Sequence, residues 1–270
     1  ILKLVNKEPA AKGWANCRLP DGTRFMAVLP PFSTSGPGFN LMKKIEHKAS
    51  WDHLIEWKSL TKDGKQIIEK AIQKGSNIVL GANAGAGQTT FLNCMLESIP
   101  KEYRTVVIEK SSEIDIKNRP RTVCLEAPKN NSKGMLELAE AASFMRADYM
   151  VVNQFLGAET AQFLEYMRSG YSVIGLINAE NCIDSLKQLE LKILGANLGV
   201  GLNEIRSIVA SALDIVIFQS KLPNGSRKTT EILKIDREEN GRYKLSPLYR
   251  YDEMKDDWEL TTEGKNYLSS

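Results

Sequence analysis

Between Asn77 and Thr90 the chain reads NIVLGANAGAGQTT, and residues of these types in this order can hold an anion. Glycine adopts backbone conformations closed to other residues, so a Gly-Ala-Gly turn lets successive N–H groups converge on one point. A helix starting at that turn adds the positive end of its dipole. Gly85, Ala86 and Gly87 form the turn, and Gln88, Thr89 and Thr90 open the apolar-periodic run Phe91, Leu92, Met95, Leu96. Against the phosphate-loop pattern G-x-x-x-x-G-K-[ST], the chain supplies Ala82, Asn83, Ala84, Gly85, Ala86, Gly87, Gln88 and Thr89. In that pattern the Lys matches the phosphate charge and the Ser/Thr hydroxyl holds magnesium. Here the first Gly is Ala82 and the Lys is Gln88, so the six residues Gly85 to Thr90 have the form of a nucleotide site without its cation. Thr89 and Thr90 also suit the simpler role of helix cap.

Such a loop needs a strand before it and a helix after it, and the surrounding pattern provides both. From Thr61 onward, short β-branched apolar runs alternate with amphipathic stretches. Strands are expected at 77–81, 105–109, 122–126, 149–153, 172–177 and 214–219, with helices near 61–75 and at 89–97, 135–145, 158–167, 183–194 and 203–213. Strands over 229–235 and 243–248 end the pattern in a C-terminal β-hairpin extension. This alternation predicts an α/β fold, a largely parallel sheet with helices on both faces, and ligands on such sheets bind at the strand C-termini. Residues 1–58 differ in texture: a hairpin, 14–19 and 24–29 around Pro20-Asp21-Gly22-Thr23, then Pro/Gly breaks and a polar run through Trp57. They read as a small α+β domain and linker, ahead of a second domain over 59–270.

The totals exclude several classes. With 42% hydrophobic and 26% charged residues among 270, the chain is that of an ordinary globular protein. A net charge of +3 with no basic run gives no support for nucleic acid. Cys17, Cys94, Cys124 and Cys182 form no CxxC pair and read as core thiols, and His47 and His53 lack partners at metal-ligand spacing, so no protein metal site is expected. No apolar stretch is long enough to span a membrane. The start at Ile1 without Met predicts a truncated chain.

Taken in succession, Leu19-Pro20-Asp21-Gly22-Thr23-Arg24, Ala27 to Pro31, Asn77 to Leu80, Val107-Ile108-Glu109, Glu113, Met145-Arg146-Ala147-Asp148, Ala210 to Gln219, Asn224 to Arg227 and Thr230-Glu231-Ile232 resemble the type II/IV secretion-system traffic ATPases, especially their Tad/Flp-pilus branch. The resemblance covers nearly the whole chain, with the family's outermost N-terminal segment missing. It implies a RecA-like P-loop core and nucleotide with Mg2+ held between two domains. It also implies subunits assembled into rings, and a place in the bacterial cytoplasm against an inner-membrane pilus or secretion platform protein.

At the family's hydrolytic positions this sequence departs. Beyond Gln88, the acidic box reads Ile108-Glu109-Lys110, the Walker B end reads Asn153-Gln154 with Leu156 at its arginine, and the His box carries Asn178. Met42 stands where an N-terminal-domain arginine is expected. Phosphoryl transfer rests on positioning and charge stabilisation, so departures gathered on one chemistry point to a natural loss of hydrolysis. The expectation is a pseudo-ATPase with no catalytic residue, degenerate at Gln88, Lys110, Gln154 and Asn178, a homo-oligomer or a partner of an active secretion ATPase. The alternatives are a slow ATPase using unconventional residues, and a sensor binding another nucleotide or anion in the vestigial pocket.

Overall fold

Asp21 shapes the first hairpin: its carboxylate accepts from Thr23 N at 2.9 Å and from Thr23 Oγ1 at 3.0 Å. The turn joins β1 (Trp14–Arg18) to β2 (Arg24–Val28), paired antiparallel from Trp14↔Val28 to Arg18↔Arg24. A third strand, β3 (Gly38–Met42), pairs antiparallel with β2. The sequence pattern missed it because Gly36-Pro37-Gly38 reads as a break, whereas the strand starts at Gly38 itself. Cys17, Phe25 and Ala27 are buried, while β3 is exposed throughout, Met42 included.

The computed structural model describes residues 13–43, 49–114, 116, 119–128, 134–239 and 242–270. The chain divides into two units, Ile1–Lys48 and Ala49–Ser270. Among the described residues the first unit is this antiparallel sheet; its expected helical part is not among them. The segment expected to be a linker up to Trp57 instead contains a helix of the second unit, α1 (Trp51–Glu56). Trp51 and Leu54 are buried in its core, and Ser50 caps the helix. His53 is exposed and its Nδ1 accepts from Ser50 N at 3.1 Å; His47 lies outside the described residues.

The second unit continues through α2 (Lys62–Gln73), β4 (Ile78–Ala82), α3 (Gln88–Ser98), β5 (Thr105–Glu109), β6 (Thr122–Glu126), α4 (Gly134–Phe144), β7 (Tyr149–Val152), α5 (Glu159–Arg168), β8 (Ser172–Asn178), α6 (Cys182–Leu194) and α7 (Leu202–Ala212). It closes with β9 (Ile215–Lys221), β10 (Arg227–Glu239), β11 (Arg242–Asp252), β12 (Asp257–Leu260) and α8 (Thr262–Ser269). The sheet order is β12-β11-β10-β9-β4-β8-β7-β5-β6; pairings from β9 to β6 are parallel and those from β9 to β12 antiparallel. The expected α/β class with a mostly parallel sheet is therefore what forms. The C-terminal extension is larger than a hairpin, since β12 and α8 follow it.

Strand β4 lies between β8 and β9 and is buried along its whole length. Alternate residues feed two cores: Ile78 and Leu80 pack with α1, α2, α3 and Tyr249, and Val79 packs with α4 to α7. Helices therefore cover both faces, the reason the strands read as continuous apolar runs. Cys17, Cys94 and Cys182 are buried as expected; Cys124 is exposed, because β6 is an edge strand buried only in part. No helix among the described residues is long and apolar enough to cross a membrane.

Candidate functional site

The loop of residues 83–87 leaves the C-terminal end of β4 and enters α3 at Gln88. Gly85 and Gly87 have φ of +78° and +85°, left-handed conformations that L side chains resist and that fold the loop back on itself. Ala86 N donates to Asn83 O at 3.2 Å and Ala86 is fully buried. Gly87 is the α3 cap residue and offers no side chain to the first turn. The N-terminal N–H groups of α3 thus lack a side-chain cap, the disposition that favours an anion.

The residue at the loop's cation position turns inward. Gln88 Nε2 donates to Ala82 O at 3.1 Å and to Asn178 Oδ1 at 2.9 Å. Asn178 is the last residue of β8 and lies opposite Ala82 in the parallel register. Ala82 O also accepts from Ala179 N at 3.1 Å. Two of the four positions singled out as degenerate therefore touch each other. The other two, Lys110 just past β5 and Gln154 just past β7, lie on the same edge, since β5 and β7 are paired neighbours. Lys110 is exposed and Gln154 half-buried.

Thr89 Oγ1 donates to Glu113 Oε2 at 3.0 Å, so its hydroxyl faces the segment after β5. Glu109, buried at the end of β5, accepts from Glu113 N at 2.7 Å and Ile114 N at 2.9 Å, with Asn153 Nδ2 at 3.4 Å. Burial pushes the Glu109 carboxyl above its ordinary range; the two backbone donors work against that shift, and the charges of Glu113 and Glu126 add to it. Glu109 is thus a buried acceptor that organises the 113–114 backbone. Among the described residues no cluster of His, Cys, Asp and Glu could hold a metal ion.

The β9–β10 connection supplies contacts that the motif does not contain. Arg227 Nε donates to Gly85 O at 2.9 Å. Asn83 is tied to the same connection: its Nδ2 donates to Ser220 Oγ at 3.2 Å, and its Oδ1 accepts from Lys221 N at 2.8 Å. A Cβ built on Gly85 would lie 3.5 Å from Lys221 Cδ and 3.9 Å from its Nζ. Two cations therefore stand beside the loop, on another element. Arg227 lies in the Asn224 to Arg227 run that carried part of the resemblance, which was the available signal; nothing in the sequence marked Lys221.

The family model described as type II/IV secretion system protein matches residues 3–242. A type IV secretion system protein VirB11 of Bartonella quintana is 26% identical over 201 residues, covering 72% of this chain and 54% of that relative. The chain thus spans about half the length of that curated relative. Among solved structures, the Brucella suis VirB11 ATPase in complex with sulphate superposes with a TM-score of 0.58 at 19% identity, over 86% of this chain and 79% of that one. The Legionella pneumophila ATPase DotB gives 0.60 at 14%, over 87% and 64%. These structural likenesses concern the fold; with the family match along most of its length, the chain belongs to the type II/IV secretion system protein family.

Proposed function

We propose that the protein is a pseudo-ATPase of a secretion or pilus-assembly machine, acting through binding rather than hydrolysis. The observation that carries this reading is Gln88, whose amide bonds Ala82 O and Asn178 Oδ1 where the family pattern has a lysine. Replacing that cation by an amide removes the ion-pair attraction to a phosphate and leaves only a neutral donor. Loss of a general base or water-positioning group costs about 10²–10⁴ in rate, and Gln154 stands where the family has that carboxylate. Lys110 and Asn178 extend the departure to two more strand ends, although such losses do not simply add.

On this reading the loop keeps its architectural role in a Tad/Flp-type pilus or type IV secretion apparatus. The protein sits in a ring of its own copies or beside an active secretion ATPase, at the cytoplasmic face of an inner-membrane platform protein. A nucleotide with Mg2+ would meet Gly85 to Thr90 of this chain. Calorimetric titration with ATP and magnesium, run beside a phosphate-release assay, tests the reading. Binding without release, or neither, agrees with it; magnesium-dependent release abolished by Thr89→Ala refutes it and favours the slow ATPase. Arg227 and Lys221 beside the loop favour one second reading, a sensor for another nucleotide or anion, for which a thermal-shift screen is the test: a ligand at ~100 times its dissociation constant adds ~2.7 kcal/mol.

A further inference from the structure

The Gln88 amide has two N–H bonds, and both are used. One reaches back across the loop to Ala82 O, from the residue that closes the turn to the one that opens it; the other bonds Asn178 Oδ1 on the neighbouring strand. Neither is left to meet an incoming oxyanion. Asn178 is exposed and ends β8, and its backbone lies in register with Ala82, so the pair forms without any displacement of the sheet. The Asn83 side chain and the Arg227 bond to Gly85 O hold the rest of the loop to the β9–β10 connection. The loop's form is thereby fixed by this chain's own groups.

We propose that the Gln88–Asn178 pair is an autoinhibitory latch on the loop: an anion gains the Gln88 amide only after the pair opens. The proposal rests on the reading that this loop no longer serves hydrolysis, and deepens it by assigning how access is regulated. A ligand that must first open a closed state binds more weakly by the fraction of molecules already open. A single neutral hydrogen bond corresponds to roughly a threefold to tenfold factor in that fraction.

The test is calorimetric titration of the full chain with inorganic pyrophosphate, for wild type, Asn178→Ala, Gln88→Ala and the double variant, each shown folded by its thermal transition. Asn178→Ser, polar but too short to reach Gln88, replaces the alanine variant if that one does not fold. Asn178→Ala is expected to bind roughly threefold to tenfold tighter than wild type, because it frees one Gln88 N–H. In the Gln88→Ala background the same change is expected to have no further effect. Unchanged or weaker binding by Asn178→Ala, an equal gain in both backgrounds, or binding by none of the proteins overturns the latch. Magnesium-dependent phosphate release from ATP by the wild type, abolished by Thr89→Ala, overturns the pseudo-ATPase reading and removes the latch's premise. The titrations alone can overturn the latch and leave that reading standing, so the two failures are distinguishable.

Discussion

Asn77→Ala should be among the most destabilising single changes around the loop. Asn77 stands just before β4, where its Oδ1 accepts from Val173 N at 2.9 Å and its Nδ2 donates to Ala212 O at 2.8 Å, both bonds buried. One side chain therefore joins the start of β4 to β8 and to the end of α7. The alanine variant leaves a buried N–H and a buried carbonyl without partners, and each costs about 1–3 kcal/mol. The bond from Asn77 N to Asp214 Oδ2 at 2.8 Å is made by the backbone and survives. The expected loss is about 2–5 kcal/mol, a large part of the ~5–15 kcal/mol that holds a typical domain folded. For a unit of this size each kcal/mol moves the transition by about 2–4 °C, so Tm should fall by about 5–15 °C. Urea unfolding followed by circular dichroism measures it directly, with an unchanged m-value showing that the two states are the same. Asn77→Asp keeps the acceptor, loses the donor and aims a carboxylate at a carbonyl oxygen, so it should fall below the alanine variant at neutral pH and recover on acidification. A loss under ~1 kcal/mol for the alanine variant would show that both groups find other partners, refuting the joint.

Three further outcomes follow from the site. Gln88→Lys alone should leave phosphate release at background, since Lys110, Gln154 and Asn178 remain; Mg2+-dependent turnover by that variant would contradict the degenerate reading. Glu109→Gln should gain stability relative to wild type as pH rises. The folded carboxyl titrates above its unfolded value, so wild type loses stability progressively from the ordinary carboxylate pKa up to the raised one, and the amide does not; parallel urea midpoints from acid to neutral pH show this as a widening gap. Gly87→Ala places a side chain at φ +85° with its Cβ 3.2 Å from Arg227 Cδ, and should cost about 1–2 kcal/mol in denaturant unfolding; no measurable cost would mean that the turn can relax.

The parallel part of the sheet was legible because its strands are buried on both faces. Ile78-Val79-Leu80 and Tyr149 to Val152 are short β-branched or apolar runs bounded by polar residues, and period and length alone separate them from the helices. Strand β3 and helix α1 were not, since Gly36-Pro37-Gly38 looks like a stop and the Asp52, His53 and Glu56 of α1 hide a two-residue apolar contact behind polar neighbours. β12 and α8 follow an Asp/Glu/Lys-rich turn that conceals them in the same way. At the site, the loop and its missing cation could be read from spacing. The Gln88–Asn178 contact joins residues 90 positions apart, and the Arg227–Gly85 contact residues 142 apart. Only the register of β4 with β8 and β9 makes them neighbours, and register is a property of the assembled sheet.

The central place of β4 has a consequence for how the protein opens. A strand paired on both sides and buried on both faces exchanges its amide hydrogens only when the whole unit unfolds, while an exposed edge such as β3 exchanges through local fraying. The loop that grows out of β4 therefore stands at a boundary in protection, with Ile78 to Ala82 slow and exposed Ala84 and Gly85 fast. A hydrogen-exchange profile should step sharply between Ala82 and Gly85, and a ligand that settles on the loop would move that step toward Thr90 while leaving the strand unchanged.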